Sequence, residues 1–337
     1  MDGGVGKTLN AASDERQRRL VEKLCRELGP KICDFLETPD IIEIMLNPDG
    51  SLWIDRLGGE MEQVGTMSAI QAESIMGTVA SVLRTTITRE NPILECELPL
   101  DGSRFEAVIP PLVSAPTFAI RRRALKVFTL ADYVASGIMN QAQRQAIESA
   151  VRTRKNILVV GGTTTGKTTL TNAILGCIAE TWPKHRLVVI EDTAELQCTI
   201  DNHVMLHTSY NVDQLRLLQI TMRLRPDRIC LGEVRGPEAL ALLKAWNTGH
   251  PGGVCTVHAN DARAGLIRME QLIAEATPAP MGTLIGVAVN VIVSITKTPT
   301  GRRVKEVLNV TGFREDSYLF EDAVTGEGVA SEPAYPE

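Results

Sequence analysis

Two hydrophobic rhythms run along this chain, and one gives way to the other near Thr129. From Asn156 onward, short uninterrupted apolar runs alternate with stretches whose apolar positions recur every three or four residues. The runs are Asn156-Ile-Leu-Val-Val160, Arg186–Ile190, Val204–His207, Arg228–Leu231 and Gly253–Val257. They are rich in β-branched residues, as strands buried on both faces require. Between them Thr168–Ala179 places Leu170, Ile174, Leu175 and Ile178 at helical spacing, and Val212–Leu224, Gly236–Asn247 and 261–275 read the same way. Helical patterns at 129–135 and 140–153 lead into the first run, and strands near 291–297 and 302–310 form a hairpin around Thr300-Gly301. Strand-helix alternation predicts an α/β domain over 130–312, with a mostly parallel sheet and helices on both faces.

Before Thr129 the rhythm is different. A charged helix is predicted over Ser13–Leu28, with Leu20, Val21, Leu24 and Leu28 on one face. Ile41–Leu46 and Leu52–Asp55 read as strands joined by the turn Asn47-Pro-Asp-Gly50. Ser68–Arg84 reads as a helix, and Ile93–Leu98, Arg104–Ile109 and Thr117–Arg121 as further strands. Hairpins without a strand-helix-strand rhythm predict a smaller α+β domain over 13–121, with 122–129 as the linker. Residues 1–12 read as a flexible terminus. Residues 313–337, studded with Glu315, Asp316, Glu321, Asp322 and Glu327, read as a disordered acidic tail.

The apolar stretch Met281–Ile295 is broken by glycines and Asn290 and is shorter than the roughly 20 residues of a membrane helix. It reads as a buried helix running into a strand, so no integral span is expected. The 337 residues are 44% apolar, enough for two cores, and carry a net charge of −6. That charge and an aromatic content of 4% give little support to a nucleic-acid surface. Seven scattered cysteines, without a Cys-x-x-Cys pair or a signal peptide, predict a reduced cytoplasmic protein.

The sharpest chemistry lies just after the first apolar run. Gly161-Gly162-Thr163-Thr164-Thr165-Gly166-Lys167-Thr168-Thr169 fits G-x-x-x-x-G-K-[ST] between a strand and a helix. In that context backbone N–H groups form a concave anion site at a helix start. Lys167 would reach the β- and γ-phosphates of ATP and Thr168 would ligate Mg²⁺. Gly3-Gly-Val-Gly-Lys-Thr8 also ends in Gly-Lys-Thr, but no strand can precede it, so it is not expected to bind phosphate.

Three further groups end apolar strands. Glu233 follows Ile229-Cys-Leu-Gly and is the first candidate to orient the attacking water. Glu191 and Asp192 follow Val188-Val-Ile190, and either could hold Mg²⁺ or its water. His258 follows Val254-Cys-Thr-Val257 and is placed to sense a γ-phosphate. Each could instead be a solvated or capping residue.

Taken together, Gly161–Thr169, the acidic box Glu191-Asp192-Thr-Ala-Glu195, the segment Met222–Gly236 and the segment Thr248–Asn260 resemble the secretion-traffic ATPases of type II and type IV systems. The resemblance spans roughly 14–312. Leu20–Cys33, Ile41–Arg56 and the absence of a paired-cysteine zinc module point to its conjugal-transfer side. It implies a RecA-like P-loop ATPase core, a homohexameric ring, and partners among the inner-membrane components of a type IV secretion or conjugation channel. It also implies that Lys167 and Thr168 serve phosphate and Mg²⁺, and that Glu233 is the catalytic glutamate. Glu191 and Asp192 match its acidic box, with Asp192 near the metal, and His258 its histidine box. Arg104 and Arg121 match arginines of the N-terminal domain that contact the terminal phosphates. Cys230 stands where the family usually has an aliphatic residue. Two other readings stay open: a motor that grips DNA directly, for which Arg121-Arg-Arg123 is the only support, and a non-catalytic ATP-dependent scaffold.

Overall fold

The computed structural model describes residues 5–56, 59–122, 127–209 and 211–329. The chain divides into two compact units, Met1–Leu125 and Lys126–Glu337.

The first unit opens with helix α1 (Val5–Glu37), which breaks at Gly29 (φ 79°, ψ 163°) just ahead of Pro30. Proline suits the first turn of the segment that follows, where its missing N–H would have no partner anyway. Leu24 and Leu28 before the break and Ile32 and Leu36 after it are buried in one core. The helix begins at Val5, inside the stretch expected to be a flexible terminus: neither glycine nor proline interrupts Lys7–Leu28, and Ala11 and Ala12 favour helix. Residues 1–4 lie outside the described residues.

There follow β1 (Ile41–Leu46), β2 (Ser51–Arg56), β3 (Glu62–Thr66), α2 (Ala69–Val82), β4 (Ile93–Glu97), β5 (Arg104–Val108) and β6 (Thr117–Arg121). The strands form one antiparallel sheet in the order β3-β2-β1-β6-β5-β4. Ser68 caps α2 by accepting from the Gln71 N–H. Ile75, Met76 and Val79 of that helix meet Ile44, Ile54, Phe105 and Ile120 of the sheet in the shared core.

The second unit contains α3 (Leu130–Ala135), α4 (Gln141–Arg152), β7 (Ile157–Gly161), α5 (Lys167–Thr181), β8 (Leu187–Glu191) and β9 (His203–His207). It continues with α6 (Gln214–Thr221), β10 (Arg228–Leu231), α7 (Glu238–Asn247), β11 (Val254–His258), α8 (Ala262–Ala274) and α9 (Gly282–Ala288). It closes with β12 (Val291–Thr298), β13 (Gly301–Arg314), β14 (Ser317–Asp322) and β15 (Gly328–Val329). The sheet order is β15-β14-β13-β12-β7-β11-β10-β8-β9. Strands β12 through β9 in that order run parallel, and β13, β14 and β15 are added antiparallel.

The apolar runs work because alternate residues feed opposite cores. Leu158 and Val160 of β7 pack with α6, α7, α8 and α9, whereas Ile157 and Val159 pack with α3, α4 and α5. Met281–Ile295 is α9 running into β12, as its pattern predicts.

The acidic tail expectation is corrected. Strand β13 runs on to Arg314, and β14 buries Tyr318 and Phe320. Phe313 packs on α9 at Gly282 and Gly286, where a Cβ would collide with it. Charge counted over the whole stretch hides the alternation in Tyr318-Leu-Phe320, which gives β14 an apolar face. Residues 330–337 lie outside the described residues. Among the described residues no helix is long and apolar enough to cross a membrane.

Candidate functional site

The parallel order sets β7, β11, β10 and β8 side by side, so their carboxyl ends form one row. His258 pairs with Gly161 across β11 and β7. The Gly232 N–H donates to the Ile190 carbonyl at 2.8 Å, carrying the β10–β8 pairing past Leu231. Gly232 gives Glu191 room, since a Cβ there would lie 3.0 Å from the Glu191 Cβ and press on it. Ligands of open α/β sheets bind at such a carboxyl edge.

The glycine loop has the conformation its composition requires. A Cβ on Gly161 would come within 2.5 Å of the Ile295 carbonyl oxygen and of the Thr165 Oγ. Gly166 adopts φ 95° as the N-cap of α5 and offers no side-chain cap, which leaves the first N–H groups of the helix to a ligand. Thr164 is also left-handed, at φ 60°. Its carbonyl accepts from the Arg302 Nη2 at 3.3 Å, and the Thr165 hydroxyl donates to the Gly162 carbonyl at 2.9 Å. Thr163 and Thr164 form the exposed crest, while Thr168 and Thr169 lie in the first turn of α5.

A continuous polar chain crosses the row of strand ends. The Lys167 Nζ donates to the Gly162 carbonyl at 3.0 Å and lies 3.1 Å from the His258 Nδ1. The His258 Nε2 lies 2.8 Å from the Glu233 Oε1. The network fits a neutral imidazole with its proton on Nε2, donating to Glu233 and accepting from Lys167. Partial burial holds His258 below the usual imidazole range against the opposing pull of Glu233, and the cations Lys167, Arg235 and Arg268 act in the same direction as burial. The other Glu233 oxygen accepts from the Arg235 Nη2 at 2.7 Å, and the Arg235 Nη1 donates to the Asp192 Oδ2 at 3.2 Å. Burial alone would lower the Arg235 guanidinium, but its bond to Glu233 and the nearby carboxylates raise it above its ordinary value.

The end of β8 carries two carboxylates with different partners. Glu191 is almost wholly buried and accepts the Glu195 and Leu196 N–H groups, each at 2.9 Å. Its other oxygen lies 3.3 Å from the His207 Nε2. Burial raises the Glu191 carboxyl above the ordinary range despite those bonds. Asp192 accepts from the Gln214 Nε2 at 2.9 Å and the Thr208 hydroxyl at 3.2 Å, besides Arg235. The carboxylate that meets the Thr168 hydroxyl, at 3.2 Å, is that of Glu195.

Lys167, His258, Glu233 and Asp192 therefore form one connected set, and Thr168 joins Glu191 through Glu195. Arg104 and Arg121 belong to the first unit, where they face each other across β5 and β6. There Arg104 lies 3.5 Å from Glu106, and Arg121 lies 3.8 Å from Glu43. His250, in the loop before β11, lies with its Nδ1 2.9 Å from the Pro226 carbonyl. Sequence reasoning quoted Glu195 in the acidic box without a role of its own and assigned none to Arg235, Gln214 or His207. Two carried a signal, since Glu195 closes the acidic box and Arg235 stands two residues beyond Glu233, on the same side of an extended segment.

Over residues 31–311 the chain matches the family model described as type II/IV secretion system protein. It is 52% identical over 303 residues to the conjugal transfer protein TrbB of Rhizobium radiobacter, covering 90% of this chain and 94% of that protein. It is 29% identical over 313 residues to the type IV secretion system protein VirB11 of Bartonella henselae, covering 80% and 85% respectively. Among solved structures, the ATPase DotB of Legionella pneumophila is similar in fold, with a TM-score of 0.58 and 16% identity over 81% of this chain and 78% of that one.

Proposed function

The chain belongs to the type II/IV secretion system protein family, and from that membership we propose that it hydrolyses ATP to drive conjugal transfer through a type IV secretion channel. The observation that carries the proposal is the placement of Lys167, His258 and Glu233 together beside the uncapped start of α5. In this reading the terminal phosphates take the backbone N–H groups of 162–168 and the Lys167 ammonium. Lys167 turns to them from the Gly162 carbonyl and His258, because charged phosphate oxygens are stronger acceptors. His258, released from Lys167, is free to turn its Nε2–H from Glu233 to a γ-phosphate oxygen and so sense that group. Glu233 orients water in line with the γ-phosphorus. The water–phosphorus bond forms as the bond to the β–γ bridging oxygen breaks, and the water gives up a proton to Glu233, leaving ADP and phosphate.

Thr168 and Glu195 set a neutral and an anionic oxygen side by side, a pair that suits Mg²⁺ together with phosphate oxygens and water. Bound there, Mg²⁺ would neutralise charge on the β- and γ-phosphates. In this reading Asp192 stays with Gln214, Thr208 and Arg235 and does not ligate the metal. Arg104 and Arg121 enter as donors to the terminal phosphates on the family resemblance alone. The same resemblance supports a homohexameric ring on the cytoplasmic side of the inner membrane, working against channel components embedded there. The net charge of −6 weighs against a direct grip on DNA.

The test is steady-state ATP hydrolysis by the wild type and Glu233→Gln, with oligomer mass measured on the same samples with and without ATP. The expected outcome is a loss of at least about 100-fold in turnover, the scale of a general base, with nucleotide binding retained. Equal turnover would remove Glu233 from the chemistry. An ATP-binding wild type without turnover would favour a scaffold.

A further inference from the structure

Glu233 reaches the site only through the segment that follows β10, and that segment is anchored in an unusual way. The Val234 N–H donates to the Thr256 carbonyl of β11 at 2.9 Å, and the Val234 side chain is buried. Glu233 and Arg235 flank it, and both side chains turn back over the strand ends. The Arg235 and Gly236 N–H groups both donate to one oxygen of Glu238, at 2.7 and 2.8 Å. Glu238 is itself buried, in the first turn of α7. The backbone that carries Arg235 is thus tied at one end to β11 and at the other to α7.

The side chain continues this design. Its two terminal nitrogens go to different carboxylates, Glu233 from the end of β10 and Asp192 from the end of β8. Asp192 is fixed in turn by the buried Gln214 of α6 and by Thr208. An isolated ion pair on a surface orders little, because two long side chains must be frozen for a screened attraction. Here one partner, Glu233, is only 18% exposed, and a rigid planar fork spans two strands. Such a fork fixes direction as well as distance.

We infer that Arg235 is the positioning residue of the hydrolysis step: its guanidinium, braced on Asp192, aims the Glu233 carboxylate at the attacking water. Arg235 acts through Glu233 and contacts no nucleotide in this account. The inference rests on the proposed role of Glu233 in ATP hydrolysis. It is distinct from an ordinary charge effect, because the two carboxylates are met by separate nitrogens of one rigid planar group. A lysine at 235 keeps the charge, but its donors radiate from a single flexible atom and cannot reproduce that fixed span.

The experiment compares kcat and KM for ATP in the full-length wild type, Arg235→Ala, Arg235→Lys, Asp192→Asn and the Arg235→Ala/Asp192→Asn double variant. Fluorescent-ADP affinity and melting temperature are measured on each. Misplacing a reacting group by about 1 Å can cost 10²-fold. The expected result is a fall in kcat of about 10-fold or more for both Arg235 variants, with KM and ADP affinity within about threefold. The double variant is expected to be no slower than Arg235→Ala, since the brace has no use once the fork is gone. Retained ADP affinity and melting temperature exclude misfolding, and Asp192→Asn reaches the same brace with Arg235 in place. Full activity in Arg235→Lys overturns the inference, as does a fall in ADP affinity that matches the fall in kcat, or additive losses in the double variant. If wild type turns over, Glu233→Gln is dead and Arg235→Ala is normal, this inference alone fails. Turnover that does not depend on Glu233 overturns the proposed function as well.

Discussion

Glu191 and Glu233 end parallel strands separated by neither gap nor insertion, yet they live in different electrostatic worlds. Glu233 is met by Arg235 and His258. Glu191 is buried against backbone N–H groups and His207, and burial raises its carboxyl above the ordinary value of 4.5. The sign of its effect on stability follows by linkage. A carboxyl raised on folding is harmless below its unfolded value, where both states hold the proton. As pH rises through the folded value, ionisation in a buried position costs stability, and above that value the full penalty remains. Glu191→Gln keeps an acceptor for the Glu195 and Leu196 N–H groups without the charge. Its melting temperature should exceed that of wild type at pH 8. The advantage should shrink towards pH 4.5, and ATP turnover should fall. A variant less stable than wild type at pH 8 would mean that the His207 contact outweighs the burial.

Elements differ in how plainly the sequence announces them, and the reason is physical. The strands β7, β8, β10 and β11 are buried on both faces, so they are written as unbroken apolar runs. The glycine loop is equally legible, because its close approaches and left-handed turns admit few residues. Strand β3 is an edge strand with no fully buried residue, and Glu-Gln-Val-Gly-Thr has no pattern to betray it. The role of Arg235 was hidden for another reason. Its second partner, Asp192, comes from strand order, which sets β8 beside β10, and local sequence does not encode that order. Strand β14 shows how much one face can matter. Phe320 is buried and Arg263 lies over its ring, 5.4 Å from the centroid, while Tyr318 donates its hydroxyl to Glu270 of α8. Phe320→Ala should therefore cost about 3–5 kcal/mol, the scale of a core aromatic lost to a cavity. The urea midpoint should drop accordingly, whereas Leu319→Ala, on the exposed side, should change it little. A neutral Phe320→Ala would return residues 313–329 to the status of a tail.

At the scale of the molecule, two units with separate cores share one chain, and the glycine loop, Lys167, Glu233 and His258 all belong to the second. Ligand linkage turns that division into a measurement. A ligand bound only by the folded state stabilises it by RT ln(1 + [L]/Kd), about 2.7 kcal/mol at a hundred times Kd. Calorimetry of the full chain should therefore show a transition that rises on adding a non-hydrolysable ATP analogue with Mg²⁺, and Lys167→Ala should abolish the rise. The first unit supplies the informative arm. If Arg104 and Arg121 donate to the terminal phosphates, the analogue should stabilise the first unit too. ADP, which lacks the γ-phosphate, should stabilise it less. Arg104→Ala and Arg121→Ala should then remove the shift of the first unit and leave most of the shift of the second. A first unit that melts at the same temperature with either nucleotide would confine the binding site to the second unit and leave both arginines to their partners Glu106 and Glu43.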